Sequence, residues 1–339
     1  MKRNKVIYFP YINRSAFFFS GSQNDFMDAL RVHYDVVRME TVSVDEEKLK
    51  DVRAVVLNWP ENCLDDTMKV RIGVYREYGI KVVWFFHNRM PHEDNTSFMM
   101  AENMKWMAEN SDAIILLSKS SVDFLPGRGS TKKAVFIPHP IFSIENTNVC
   151  IRHEDIFGNG KITVGMFGSI RSDKRFEVMI RLAAEGLVNL IIAGRAIQPS
   201  YAEKLRRSVA GLSNVLFTME HVSEQDFMLY HRQSEVIALP FDTRSCMNSG
   251  SMITAFSFAR PVLTTDIAMA RDLEAEDFVH IVQDSSNVEK LYTNLRLGLE
   301  ECISQGGGAL REQGLHARWY VEKNNRLEAV AEGFRAVIG

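Results

Sequence analysis

Short apolar runs alternate along this chain with longer stretches in which apolar residues recur every three to four positions. In the first half the runs predict strands at residues 5–9, 34–38, 54–58, 81–86, 113–117 and 134–137. Helical spacing fills the gaps at 24–32, 67–78 and 97–109. Short buried strands alternating with helices imply a parallel, doubly wound sheet. Pro138-His139-Pro140 stops the series, and the polar segment 143–160, with two glycines around Asn159, reads as a linker. A second series then predicts strands at 163–167, 190–193, 215–218, 236–239, 262–264 and 279–282. Its helices fall at 174–185, 200–210, 223–232, 249–258 and 288–303. Gly306-Gly307-Gly308 is expected to be a flexible break. Residues 316–337 then form an amphipathic helix with Trp319, Tyr320, Leu327, Val330 and Phe334 available to pack. The expectation is an α/β chain of two domains, 1–150 and 158–315, followed by a closing helix. Ligands of such sheets sit beyond the carboxyl ends of the strands, here expected in the cleft between the halves.

Composition narrows the class. A length of 339 residues suits two ordinary domains, and an apolar fraction of 46% suits sizeable cores. A formal net charge of −3 argues against a general nucleic-acid binder. No apolar run approaches the ~20 residues that cross a bilayer. Met1-Lys2-Arg3-Asn4-Lys5 leads into a strand pattern without a signal-peptide core, so a cytoplasmic location is expected. Cys63, Cys150, Cys246 and Cys302 lack metal or disulfide-framework spacing and read as free thiols.

Three constellations carry chemistry. In the stretch 162–195 a strand breaks at Gly168-Ser169, and a basic turn follows with Arg171, Asp173, Lys174 and Arg175. Helical spacing then leads to a strand ending in Gly194-Arg195. Glycine lets backbone approach a ligand closely, and a helix start offers unpaired N–H groups and a positive dipole end. Arg171 and Lys174 would add two cations to a diphosphate, with Arg195 a third. Second, Leu239-Pro240-Phe241-Asp242 is followed by Asn248-Ser249-Gly250-Ser251, a strand end leading to another helix start. Asn and Ser are the best N-caps, so plain capping competes here with anion binding. Two such turns in one half favour the anion. Third, Trp84-Phe85-Phe86-His87-Asn88-Arg89-Met90-Pro91-His92-Glu93-Asp94-Asn95 crowds two imidazoles, two carboxylates and a guanidinium beyond a strand. Polar groups in such a place serve a ligand or a capping network. His92 or Glu93 could take a proton from a hydroxyl. His87 and His92, five apart across Pro91, do not share a helix face, so no metal is expected. Met99, Met100, Met104, Trp106 and Met107 read first as core packing and second as a lipid- or acceptor-facing surface.

With these pieces placed, the chain resembles glycosyltransferases of the GT-B fold, particularly the nucleotide-sugar-dependent enzymes of bacterial polysaccharide and glycolipid assembly. The resemblance rests on FGSIRSDKRFE (167–177), IAGR (192–195), LPFDTRSCMNSGSMITAFSFARPVL (239–263) and WFFHNRMPHE (84–93). It implies two Rossmann-like doubly wound domains facing a cleft, with residues 316–339 returning to the N-terminal, acceptor-binding domain. It also implies that Gly168, Ser169, Arg171, Lys174, Arg195, Asn248, Ser249, Gly250 and Ser251 contact a donor diphosphate, while the turn at Val222 holds the nucleotide base. Many retaining members carry two glutamates before the Pro-Val of Ala259-Arg260-Pro261-Val262. Counting back, those positions are Cys246 and Thr254 here, so the chain resembles a divergent branch with Ser-Gly-Ser in that loop.

The implied reaction moves a hexosyl group from a UDP- or GDP-sugar to an oligosaccharide or lipid-linked glycan in cell-surface polysaccharide synthesis. His92 and Glu93 are its candidate catalytic residues, His87 and Asn88 its acceptor contacts, and no cofactor is expected. Lys2, Arg3, Lys5 and the Met-rich helix are compatible with peripheral contact at the inner face of a membrane. Two other readings stay open: a GT-B-like epimerase or phosphorylase, and a noncatalytic partner subunit.

Overall fold

The computed structural model describes residues 4–9, 21–38, 49–62, 64–87, 89, 97–127, 129–142, 155–220 and 222–339, the side chains of 21–24, 62, 97, 98 and 224 aside. The chain divides into two compact units, Met1–Phe142 with Asn324–Gly339, and Ser143–Lys323.

The first unit holds β1 (Lys5–Phe9), α1 (Gly21–Arg31), β2 (Asp35–Arg38), β3 (Val52–Asn58), α2 (Asp66–Glu77), β4 (Lys81–Phe86), α3 (Ser97–Asn110), β5 (Ala113–Leu116) and β6 (Ala134–Phe136). Its strands pair in the order β2-β1-β3-β4-β5-β6, every pairing parallel. A parallel sheet covered on both faces needs strands apolar on both sides. The run Trp84-Phe85-Phe86 supplies that, each residue fully buried. On α3, Met100, Met104 and Met107 are buried and Met99 is exposed, which is the core-packing reading of that stretch.

The second unit holds β7 (Thr163–Phe167), α4 (Phe176–Ala184), β8 (Asn189–Ala193), α5 (Pro199–Val209), β9 (Val215–Thr218), α6 (Glu224–Gln233), β10 (Val236–Leu239), α7 (Gly250–Ser257), β11 (Val262–Thr265), α8 (Ala268–Arg271), β12 (Val279–Val282) and α9 (Val288–Asn324). Strand order is β12-β11-β10-β7-β8-β9, again parallel throughout. In chain order from β7 this is 3-2-1-4-5-6, a doubly wound order, with its reversal between β7 and β10.

Three expectations are corrected. The glycine triplet is a kink, not a flexible break: Gly306 takes φ 78°, and helix continues on both sides. Buried Leu299, Cys302 and Leu310 hold the two arms down. The return to the first unit begins at Asn324, not at 316. Residues 316–323 stay with the second unit because Ala317 and Val321 are buried there and Arg318 Nη1 donates to the Ser257 carbonyl at 2.6 Å. A Cβ on Gly314 would lie 2.0 Å from the Ala259 carbonyl oxygen, so this helix rests directly on backbone. After a break at Asn325-Arg326, α10 (Leu327–Ile338) packs on α1 and the first sheet, with Phe334 against Phe26 and Phe85. Finally, the helix predicted from Lys174 starts at Phe176, behind a 3₁₀ turn at Ser172–Lys174.

Candidate functional site

β7 ends at Phe167, and Gly168 turns with φ 98°, a conformation that favours glycine. Its N–H donates to Ala193 at the end of β8 (3.0 Å), and Ile170 N donates to the Arg195 carbonyl (2.8 Å). The two strand ends approach so closely that a Cβ on Gly194 would lie 1.8 Å from the Gly168 carbonyl oxygen. The 3₁₀ turn then curls Lys174 back over the strand end. Its Nζ reaches the Phe167 carbonyl at 3.4 Å, and the residue is 8% exposed. Met166, Phe167, Phe176, Leu239 and Phe241 surround it. This apolar setting penalises the ammonium, and Arg171 adds repulsion, so its pKa falls to about 8 despite Asp173 nearby.

The second corner closes on the first. The Asp242 N–H donates to the Asp173 carbonyl at 2.9 Å, and the Asp242 carboxylate pairs with Arg175 (3.1 Å) and Arg244 (2.6 Å). Those arginines hold the Asp242 carboxyl below its ordinary range, Arg244 foremost. Arg175, which leads into α4, has φ 51°, an unusual value for a residue with a side chain. Ser249 caps α7, its Oγ accepting from Met252 N at 3.2 Å. The capping role thus falls to Ser249, while among the described residues the Gly250 and Ser251 N–H groups have no acceptor. A Cβ on Gly168 would meet Lys174 Nζ at 3.2 Å and Ser251 Oγ at 3.8 Å. The glycine of one corner, the lysine behind it and the helix start of the other therefore share one small region.

The remaining expected donor residues lie along the same sheet edge. Asn248 and Ser249 follow β10, Ser169 and Arg171 follow β7, exposed Arg195 follows β8, and half-buried Val222 follows β9. Those four strands are consecutive neighbours, so their carboxyl ends form one row. Arg171 is not a free cation: its Nη2 lies 3.1 Å from Asp173 Oδ2. Cys246, at one missing-glutamate position, is buried beside Asp173, and burial pushes its thiol up to about 12.

In the first unit His87 follows β4 and is 7% exposed. Its ring stacks on Trp59 (centroids 3.8 Å) and Phe85 (5.4 Å), and Nε2 bonds Asn58 Oδ1. Asn58 Nδ2 donates in turn to Tyr8 Oη at 3.2 Å. Burial, helped by His139, lowers the His87 pKa to about 3, so this ring is neutral and held in place. Asn88, His92 and Glu93 lie outside the described residues. Glu61, just beyond β3, is not among the candidates read from the sequence. It is buried, donated to by Trp84 Nε1 at 3.0 Å, and raised by desolvation to about 7. Asp242 likewise carries no role in the sequence reading. The signal was local in both cases: an acid immediately beyond a predicted strand.

No protein-family model matches the chain, and no curated protein matches it in sequence. Solved structures do match in three dimensions. Anabaena Alr3699/HepE in complex with UDP aligns with a TM-score of 0.70 at 11% identity, over 98% of this chain and 99% of that one. The same protein with UDP-glucose gives 0.68 at 12%, over 99% of each chain. A glycosyltransferase from Rickettsia africae ESF-5 gives 0.68 at 12%, over 100% and 98%. The lipopolysaccharide outer core galactosyltransferase WaaB, apo form, gives 0.64 at 11%, over 98% and 99%. The chain therefore has the α/β fold of these structures, with two six-stranded parallel sheets on one polypeptide.

Proposed function

We propose that this chain is a nucleotide-sugar-dependent glycosyltransferase that moves a hexosyl group to an oligosaccharide or lipid-linked glycan in cell-surface polysaccharide synthesis. The observation that carries the reading is the meeting of Gly168, Lys174 and Ser251 at the order reversal of the second sheet. Phosphates bind at such reversals and at unfilled helix starts. Arg171, Lys174 and the Gly250 and Ser251 N–H groups meet the charge that builds on the departing diphosphate, so side chains and helix end supply what a metal would. Arg195 adds a cation one strand over, and the turn at Val222 takes the nucleotide base. UDP is favoured over GDP because HepE, which shares the fold, binds UDP and UDP-glucose. In the first unit, His87 and Asn88 place the acceptor hydroxyl, and His92 or Glu93 takes its proton. With a pKa near 3, His87 can orient but not serve as the base. The chain works in the cytoplasm, against the inner face of the membrane where lipid-linked acceptors are presented.

A thermal-shift screen with UDP, GDP and ADP tests the donor assignment, since a ligand of the native state raises its melting temperature. One diphosphate should stabilise the protein. Arg171→Ala and Lys174→Ala should each weaken it by about ten- to a hundredfold, in line with one lost charge-assisted bond. Unchanged affinity in both variants refutes the assignment.

A further inference from the structure

A carboxylate stands among the cations of the proposed diphosphate site. Asp173 Oδ2 pairs with Arg171 Nη2 at 3.1 Å, and the side chains are only 12% and 27% exposed. The acid immediately precedes Lys174 in the chain. Its position is pinned from behind, because its own carbonyl accepts the Asp242 N–H at 2.9 Å. The two aspartates differ in their partners. Asp242 is matched by two guanidiniums, Arg175 and Arg244, and ties one corner to the other. Asp173 instead shares the guanidinium to which the site assigns the donor. Arg171 has capacity left for a further acceptor: its Nε is buried, and no described group bonds it.

Building on the donor reading, we propose that Asp173 is a displaceable internal counterion. It holds Arg171 in place, yields it to the incoming diphosphate, and takes it back as the nucleoside diphosphate leaves. Two consequences follow from its charge. A carboxylate beside a diphosphate is a like-charge neighbour, so it lowers nucleotide affinity. It also competes for the two-pronged guanidinium contact that phosphate prefers, so it speeds release. Asp173 would then set the residence time of product, a step that governs turnover in many transferases.

The test is calorimetric titration of the parent 339-residue chain, Asp173→Asn and Asp242→Asn with UDP, GDP and ADP, with Mg²⁺ and again with chelator, plus stopped-flow dissociation. Asparagine keeps the shape of aspartate and removes the charge. Asp173→Asn should bind the accepted nucleotide about tenfold tighter and release it about tenfold more slowly, the scale of one partly screened like-charge contact. Asp242→Asn should bind about tenfold more weakly, having lost the tie between corners. Damage to the fold cannot tighten binding, so the sign separates a counterion from a structural residue. Equal or weaker binding by Asp173→Asn, while the parent protein binds normally, overturns the proposal. A weakening confined to Mg²⁺-containing buffer also overturns it, since Asp173 would then be bridging a cation. Failure of the parent protein to bind any of the three nucleotides refutes the donor reading itself, a different result.

Discussion

Lys174 carries an ammonium in surroundings that resist one, and its chemistry follows from that conflict. Apolar neighbours and Arg171 bring its pKa down to about 8 from 10.5. A bound diphosphate reverses the balance by favouring the charged form, so its pKa rises in the complex. Affinity should therefore be flat between about pH 7 and 8 and fall as pH climbs further, because binding must then take up a proton. Isothermal titration with UDP from pH 7 to 9.5 should show Kd rising toward tenfold per pH unit, and Lys174→Met should bind weakly with no such slope. Proton uptake should register as a buffer-dependent heat near pH 8.5 in the parent protein. The sign for folding is opposite. The folded pKa lies below the unfolded one, so this lysine lets stability rise with pH between about 8 and 10.5. The spacing of Arg171 and Lys174 made a cationic turn legible in the sequence. The burial of Lys174 was not legible there, because it follows from the 3₁₀ turn and from Leu239 and Phe241, which lie more than sixty residues on.

At the scale of elements, the candidate site is a pair of strand-to-helix corners, and its tolerance depends on how closely backbones meet. A Cβ at Gly194 would sit 1.8 Å from a backbone oxygen, which cannot swing aside as a side chain could. Gly194→Ala must therefore push the β7 and β8 ends apart, at a cost of about 3 kcal/mol or more, and should abolish nucleotide binding. Gly73 in α2 is the contrast. It is exposed in a helix interior with nothing within 4 Å of its missing Cβ, so Gly73→Ala should stabilise by about 0.5–1 kcal/mol and leave binding unchanged. Urea unfolding of both variants checks the pair. A stable, nucleotide-binding Gly194→Ala would mean that the corner is not built as described. The alternation of apolar runs made every described strand legible, since buried parallel strands leave little room for polar residues. Short α8 escaped, having only the four residues Ala268–Arg271 and therefore no full helical period to detect. Capping chemistry near Ser249 was legible too, but which hydroxyl serves the helix and which faces the glycine corner is set by χ angles that no spacing reveals.

For the whole molecule, the order of strands within each sheet lies beyond periodicity, because it depends on which buried edges meet, and only the alternation itself is written along the chain. The same holds for residues 324–339, which belong with the first unit although the second unit precedes them in sequence. The tie is apolar: Phe334 is fully buried, with ring centroids 5.9 Å from Phe85 and 6.3 Å from Phe26. Lys81 Nζ and Arg53 Nε add donors to the last carbonyls of α10, where a helix end favours cations. Phe334→Ala removes a core aromatic and should cost about 3–5 kcal/mol. That cost belongs to one unit. Its sheet, not the β7–β10 corners, loses the covering helix, and stability in proteins of this size is distributed in local blocks. Hydrogen exchange should therefore show faster opening of β3 and β4 amides in Phe334→Ala, while β7 and β8 amides keep their protection and are still slowed further by UDP. Equal loss in both sets would show that the two units unfold as a single cooperative block, and a variant unchanged in β3 and β4 would show that α10 contributes nothing to holding its sheet.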